Sequence, residues 1–314
     1  MRRAALTLFL ATLAAGAARA EEGPTGHYMP GSVADFVDAV PAKGTILVRT
    51  HALRYSGVGG AGAMPIAGLT ATDVRETRWG FGITAAVRPS YNLTTNLGWA
   101  ASITIPIVQA SIAGDVLQPG GGAIARQEDT GGLGDLFVAP LMLLYEITPE
   151  LSASGRVGMY IPTGRYQTGR LANTGKNYFT FEPILGLEYF GWRNGIEAAV
   201  HAGLDLNTMN RSTQYQTGVQ AHVDGTLAWH LPIGRGLVGA GGSGYWYRQL
   251  SADSGSGATL GSFKARAVGA GPVVSYLFRA GKVAVAIDLR WTHDFSVENR
   301  LDGDLWFLKA VAAL

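Results

Sequence analysis

The sequence predicts an all-β protein: a single transmembrane antiparallel β-barrel of about 12 strands, preceded by a short helical or plug-like segment. Three observations carry that expectation. Apolar residues alternate with polar or small ones along almost the whole chain, the period-two pattern of strands with one apolar face. The connections between these strands run alternately long and short, as in outer-membrane barrels, where short periplasmic turns oppose longer extracellular loops. The composition agrees, because 44 of the 314 residues are glycine and only 15% are charged, whereas soluble domains average about 7% glycine and about 25% charged residues. Glycine at that level argues against a helical bundle, since each one costs a helix interior about 1 kcal/mol relative to alanine.

The first element reads as a leader. Met1-Arg2-Arg3 gives a positive start, Ala4 to Ala15 is an apolar run, and Ala18-Arg19-Ala20 fits a small-x-small cleavage site, so residues 1–20 are expected to be a signal peptide cut after Ala20. Loss of Arg2, Arg3 and Arg19 leaves 22 basic residues against 23 acidic ones. A near-neutral exported chain offers no field for nucleic acid. Absence of cysteine excludes disulfides, thiol catalysis and thiolate metal sites. The longest apolar run, Leu136 to Tyr145, is too short for a spanning helix and contains Pro140. A membrane location therefore demands a closed barrel, in which every backbone group is paired.

Residues 21–42 do not alternate and form the second element. SVADFVDAV (32–40) reads as a short helix capped by Ser32, with Val33, Phe36, Val37 and Val40 as its apolar stripe between Pro30 and Pro41. Two readings stand: a plug entering the barrel from the periplasm, with His27, Tyr28 and Phe36 along a ligand path, or a periplasmic tail.

Residues 43–314 are the barrel. Strands are expected near 43–56, 76–90, 95–108, 132–147, 151–162, 176–190, 195–208, 218–232, 236–250, 262–279, 282–296 and 304–314. The second sets Trp79, Phe81, Ile83, Ala85 and Val87 against Arg78, Gly80, Gly82, Thr84 and Arg88. The third sets Leu97, Trp99, Ala101, Ile103 and Ile105 against Gly98, Ala100, Ser102 and Thr104. In the seventh, Ile196, Ala198, Val200, Ala202 and Leu204 oppose Glu197, His201 and Asp205; in the eighth, Val219, Ala221, Val223, Leu227 and Trp229 oppose His222, Asp224 and His230. The eleventh opposes Val283, Val285, Ile287, Leu289 and Trp291 to Asp288 and Arg290. Parity is ambiguous in 132–147, 236–250 and 262–279. Trp79, Phe137, Phe179, Trp291, Phe295 and Trp306 fall near the long-loop rim, and Trp99, Tyr145, Tyr189, Trp229, Tyr276 and Phe278 near the other, matching paired aromatic belts. The extracellular loops 57–75 and 109–131 are expected to be long and glycine-rich.

The polar face supplies the candidate lumen: Arg78, Arg88, Arg156, Glu182, Glu188, Glu197, His201, Asp205, His222, Asp224, Asp288 and Arg290. Charges facing a narrow lumen must pair or be hydrated. They form either an ion-pair network filling the barrel, carboxylates against arginines, or a ladder of polar sites along a solute path. His222 and Asp224 lie two apart on one face, as do Asp205 and Asn207; a hydrolytic dyad or a metal site could be drawn from such pairs, but alternating polar residues produce them by chance. No catalytic residue, metal or cofactor is expected. His293 faces outward with no serine two residues away, and G-x-S-x-G is absent. DSGSG (253–257) reads as an acidic, flexible surface loop.

Six stretches go beyond generic barrel chemistry: GHYMPGSVADFVDAVPAKG (26–44), GLGDLFVAPL (132–141), YIPTGRY (160–166), GKNYFTFEP (175–183), GYWYRQLSADSGSGATLGSFKARAVGAGP (244–272) and HDFSVENRLDGDLWFL (293–308). On these the chain resembles the outer-membrane family named for the meta-pathway of phenol degradation. The resemblance implies a transporter-like barrel for passive uptake of small hydrophobic compounds, aromatic ones among them, with outer-membrane lipid and a small solute as partners, no nucleic acid and no cofactor. A closed structural or adhesion barrel and an outer-membrane lipid hydrolase are the alternatives.

Overall fold

The computed structural model describes residues 21–314 apart from 24, 60, 61, 262 and 263; the expected leader at 1–20 lies outside the described residues. Fourteen strands follow one another: β1 (Ile46–Val58), β2 (Met64–Ile66), β3 (Leu69–Val87), β4 (Leu97–Leu117), β5 (Ala123–Leu133), β6 (Leu136–Glu146), β7 (Leu151–Ile161), β8 (Thr180–Phe190), β9 (Ile196–Asn207), β10 (Gln220–Ile233), β11 (Gly236–Gln249), β12 (Arg266–Ala280), β13 (Val283–Glu298) and β14 (Asp302–Ala313). Twelve of them close an antiparallel barrel, in which β1 pairs with β14 on one side and β3 on the other, and β3 with β4. The short β2 and the 11-residue β5 extend the wall at the long-loop end by pairing with β3 and β4.

Alternation sorts the two faces of the wall. Outward residues such as Leu185 and Leu227 are 72% and 65% exposed, whereas the inward Glu182 and Asp224 are 1% and 0% exposed. The inside of the barrel is thus the polar side, and apolar side chains meet the lipid. Trp79, Phe295 and Trp306 are exposed towards the long-loop end, and Tyr145 and Trp229 towards the short-turn end.

Local departures from the sequence expectation have physical reasons. Pro140 cannot donate to a ladder, and the pairing of β6 with β7 shifts register between Val138 and Leu141. That bulge reverses parity, so Phe137, expected in the outer belt, turns inward with Ala139, Met142 and Leu144 against Val40. The expected loop 57–75 is largely wall, since the β1–β3 ladder runs to Val58 opposite Arg75. Likewise 109–131 is a hairpin of β4 and β5, closed by Gly121 and Gly122 at φ 88° and 83°, values that only glycine adopts freely. DSGSG is not a free loop: Asp253 is buried and accepts the Gly218 and Glu21 amides.

The lumen is filled from within. Glu21 lies at the long-loop end, its N–H on Asp253 at 3.2 Å, with the Glu22 amide on Thr217 Oγ1 at 3.2 Å and Gly23 N–H on the Pro65 carbonyl at 2.7 Å. The chain then descends past Asp224 to the short-turn end, where Arg88 donates to the Pro41 carbonyl at 2.9 Å and Gly44 N–H to that of Pro89 at 3.1 Å. Residues 21–42 therefore traverse the barrel, and Glu21 lies at the opposite mouth from Leu314. Their only helical turn among the described residues is a 3-10 turn, Phe36–Asp38, with Asp35 rather than Ser32 as its cap. The turn goes no further because Ala39 is already extended, at φ −59° and ψ 159°, and Pro41 disfavours helical backbone at Val40 before it.

Candidate functional site

Polar strand positions project into the space that the N-terminal segment occupies, and the segment supplies partners for them. Arg290 of β13 meets Asp288 on its own strand at 2.9 Å and Asp35 of the segment. Asp38 receives Lys309 of β14 and Arg49 of β1, each at 2.5 Å. Tyr28 Oη and Gly31 N–H both donate to Asp224 Oδ1 at 2.7 Å. The Phe36 amide donates to Glu197 at 3.2 Å.

The expected pairing of carboxylates with arginines is only partly realised, because histidines take that place. His201 bonds Glu188 at 2.9 Å, His230 bonds Glu197 at 2.8 Å, and His222 Nδ1 bonds Asp224 Oδ2 at 2.9 Å. Glu188 also accepts Ser152 and Ser154 at 3.2 and 2.8 Å. Of the arginines, Arg78 turns to Glu76 of its own strand at 2.6 Å and Arg88 to Glu146 at 3.1 Å. Arg156 stands between Met142 and Ile184 in the register. Glu182, Asp205 and His222 converge, one ligand-type atom from each lying within 4.8 Å of the others.

Near the long-loop end, His27 stacks on Tyr160 with centroids 4.7 Å apart and bonds Asp135 and Thr180 at 2.9 and 2.7 Å. Burial works against the Asp135 carboxylate, but the His27 bond and the amides of Gly164 and Lys176 hold it below its usual range. Lys176 donates to the Thr25 carbonyl; its burial, with Arg78 repelling it, lowers the amine to about 8.

Sequence reasoning passed over Arg49, Lys309, Asp35, Asp38, Asp135 and His230. Lys309 was hidden because its inward neighbours Leu305, Phe307 and Val311 are apolar, so the strand shows no polar face. His230 lay on a polar face already recognised and could have been taken from it.

Each end of the lumen also holds an apolar feature. At the long-loop end Tyr55, Met64, Ile66, Val74, Ile112, Leu171 and Leu301 pack together. At the short-turn end a cavity of about 500 Å³ lies between Phe36, Val40 and Pro41 of the segment and Leu47, Leu237, Leu277 and Val311 of the wall.

Similarity to known proteins accords with this architecture. The structure is similar to the COG4313 outer membrane channel from Pseudomonas putida F1, with a TM-score of 0.68 over 91% of this chain and 100% of that chain at 15% identity. It also matches the β domain of the Bordetella autotransporter BrkA (TM-score 0.43, 14% identity, 87% of this chain and 99% of that) and a Pseudomonas aeruginosa FadL homologue (0.41, 10%, 95% and 98%). No curated protein matches. The fold is that of an outer-membrane β-barrel, and its apolar outer face is the lipid contact. Residues 67–309, from β3 almost to the end of β14, match the family described as "Putative MetA-pathway of phenol degradation", and the chain belongs to that family.

Proposed function

We propose that the protein is a passive outer-membrane channel for small hydrophobic compounds, aromatic ones included, with residues 21–42 as its plug. On this reading residues 1–20 are a leader that is removed and 43–314 are the conducting barrel. The observation that carries it is the apolar cavity of about 500 Å³ at the short-turn end, one wall of which is the segment itself. That volume exceeds a single aromatic ring several times, and its lining is mainly apolar, with Arg235 and Arg279 as its charged residues, as in sites for apolar molecules. The segment's hold on the wall runs mainly through ion pairs and hydrogen bonds, which water can replace on release. His27, Tyr28 and Phe36 line the route between the two apolar features. The similar channel supports passage, and the family's name supports aromatic compounds among the solutes.

A closed structural barrel is the second reading, favoured by the same segment where it fills the lumen. The hydrolase reading is disfavoured by His293, whose ring bonds Asp304 at 3.1 Å and stacks on Trp291 instead of activating a hydroxyl. The test is solute entry into liposomes carrying the chain from residue 21 onward, with protein-free vesicles as control because phenols cross bilayers unaided. Faster entry of phenol-like solutes but not of sugars is expected. No acceleration of any solute, from protein with the heat-dependent gel mobility of a folded barrel, would establish the closed reading.

A further inference from the structure

Three side chains of the ligand type converge from three adjacent strands towards the long-loop end of the lumen. Glu182 of β8, Asp205 of β9 and His222 of β10 bring one donor atom each within 4.8 Å of the others. All three residues are at most 1% exposed. Glu182 Oε1, both Asp205 carboxylate oxygens and His222 Nε2 have no hydrogen-bond partner among the described residues. Glu182 Oε1 and His222 Nε2 stand 3.5 Å apart, beyond a good hydrogen bond. Leaving buried polar atoms unanswered is costly, and more so for charged groups. Neighbouring carboxylates are answered: Glu188 by His201 and two serines, Glu197 by His230 and the Phe36 amide.

His222 is also arranged as a ligand. Its Nδ1 is engaged by Asp224 at 2.9 Å, which turns Nε2 towards Glu182 and Asp205. A carboxylate behind an imidazole in this way orients and strengthens metal-binding histidines. Asp224 is itself fixed by Tyr28 and Gly31, and the Tyr28 ring stacks on His222 at 4.0 Å. Gly203 faces His222 across the ladder, and a methyl there would lie 2.3 Å from Nε2. The glycine gives the ring its place.

We propose that Glu182, Asp205 and His222 bind a divalent first-row transition cation, with zinc the ion this donor set suits best. Two carboxylates and a neutral imidazole carry two negative charges, which a dication cancels. Mixed oxygen and imidazole donors without thiolate fit zinc or manganese, and calcium, which takes six to eight oxygens, is poorly served. The sequence expectation of no metal treated His222 with Asp224, and Asp205 with Asn207, as separate pairs each confined to one strand. Asp224 is the partner behind the ligand, and the ligands come from three strands. Through Asp224 the ion also braces Tyr28, so the site joins the lumen segment to the wall.

The chain from residue 21 onward, refolded in detergent with zinc or manganese chloride and dialysed against metal-free buffer, is assayed for metal per chain by plasma mass spectrometry. Asp205→Asn and His222→Gln are compared with Asp294→Asn, which alters a buried carboxylate outside the site; each is first checked for the gel mobility of a folded barrel. Retention of about one zinc per chain by the parent and Asp294→Asn, and at least tenfold weaker binding by the other two, is the expected result. X-ray absorption of the zinc-loaded parent needs no variant and is expected to show a nitrogen and oxygen shell with one imidazole. Equal retention by all four proteins, no retention by the parent, or a shell without imidazole would overturn the site. A barrel that fails to pass phenols leaves this test untouched, so the two readings fail separately.

Discussion

Asp38 is the most heavily committed carboxylate of the lumen segment. It takes Lys309 and Arg49, each at 2.5 Å, and the Ala34 amide at 2.9 Å. Asp38→Asn removes the anion and leaves Lys309, 1% exposed, facing a neutral amide. Uncompensated buried charges cost about 3–5 kcal/mol, and about 3 kcal/mol is expected here because Asp35 remains 3.6 Å from Lys309. Faster proteolysis within residues 21–40, with unchanged barrel mobility on gels, is the readout. Lys176 adds a pH dependence whose sign can be worked out. Released from the segment, its amine titrates near the ordinary 10.5; docked, near 8. Between those values the docked state holds fewer protons, so docking strengthens as pH rises from about 8 to about 10.5 and is constant below 8. Protease cleavage of the segment, measured over that range, is expected to slow with pH in the parent and to lose that trend in Lys176→Met.

Strands are where the sequence speaks most plainly, and β9, β10 and β13 show why. Their inward positions carry Glu197, His201, Asp205, His222, Asp224, Asp288 and Arg290 while the outward ones are apolar, so period two is visible without a structure. β6 and β14 resist the same reading. Their inward faces are Phe137, Ala139, Met142 and Leu144, and Leu305, Phe307 and Val311, packed on Val40, on the long-loop cluster or against the segment's cavity. Where something apolar fills the lumen, the inner face needs packing and not hydration, and the contrast between faces disappears. The bulge at Pro140 then reverses parity within one strand, which no fixed period can follow. The lipid face makes its own prediction: Leu185, 72% exposed at the centre of β8, should tolerate arginine poorly. Leu185→Arg is expected to lower unfolding stability in bilayers by about 2–4 kcal/mol, as for arginine at a membrane midplane, whereas Thr148→Arg in the short turn after β6 should change it by under about 1 kcal/mol.

On the scale of the whole molecule, the strand count and the polar lumen were legible, and the identity of the partners was not. The segment's partners come from parts of the chain far apart in sequence, as with His27 and Asp135, and register alone does not disclose a contact to a chain inside the barrel. Removing residues 21–40 should leave closure intact, because the β1–β14 and β3–β4 ladders do not involve them. The shortened barrel is expected to keep its heat-dependent gel mobility and to show a higher single-channel conductance than the parent in planar bilayers. The path of the segment bears on how the protein can be labelled. Glu21 sits at the long-loop mouth, in the grip of Asp253, with a filled barrel between it and β1. A reporter protein fused directly ahead of Glu21 has to be carried through the lumen before the segment can dock, and a folded one cannot make that passage. The same reporter after Leu314, whose backbone pairs with Ile46 at the short-turn end, hangs clear of the interior. Insertions ahead of Glu21 and after Leu314 are therefore not interchangeable: the first obstructs docking of the segment, and the second leaves it undisturbed.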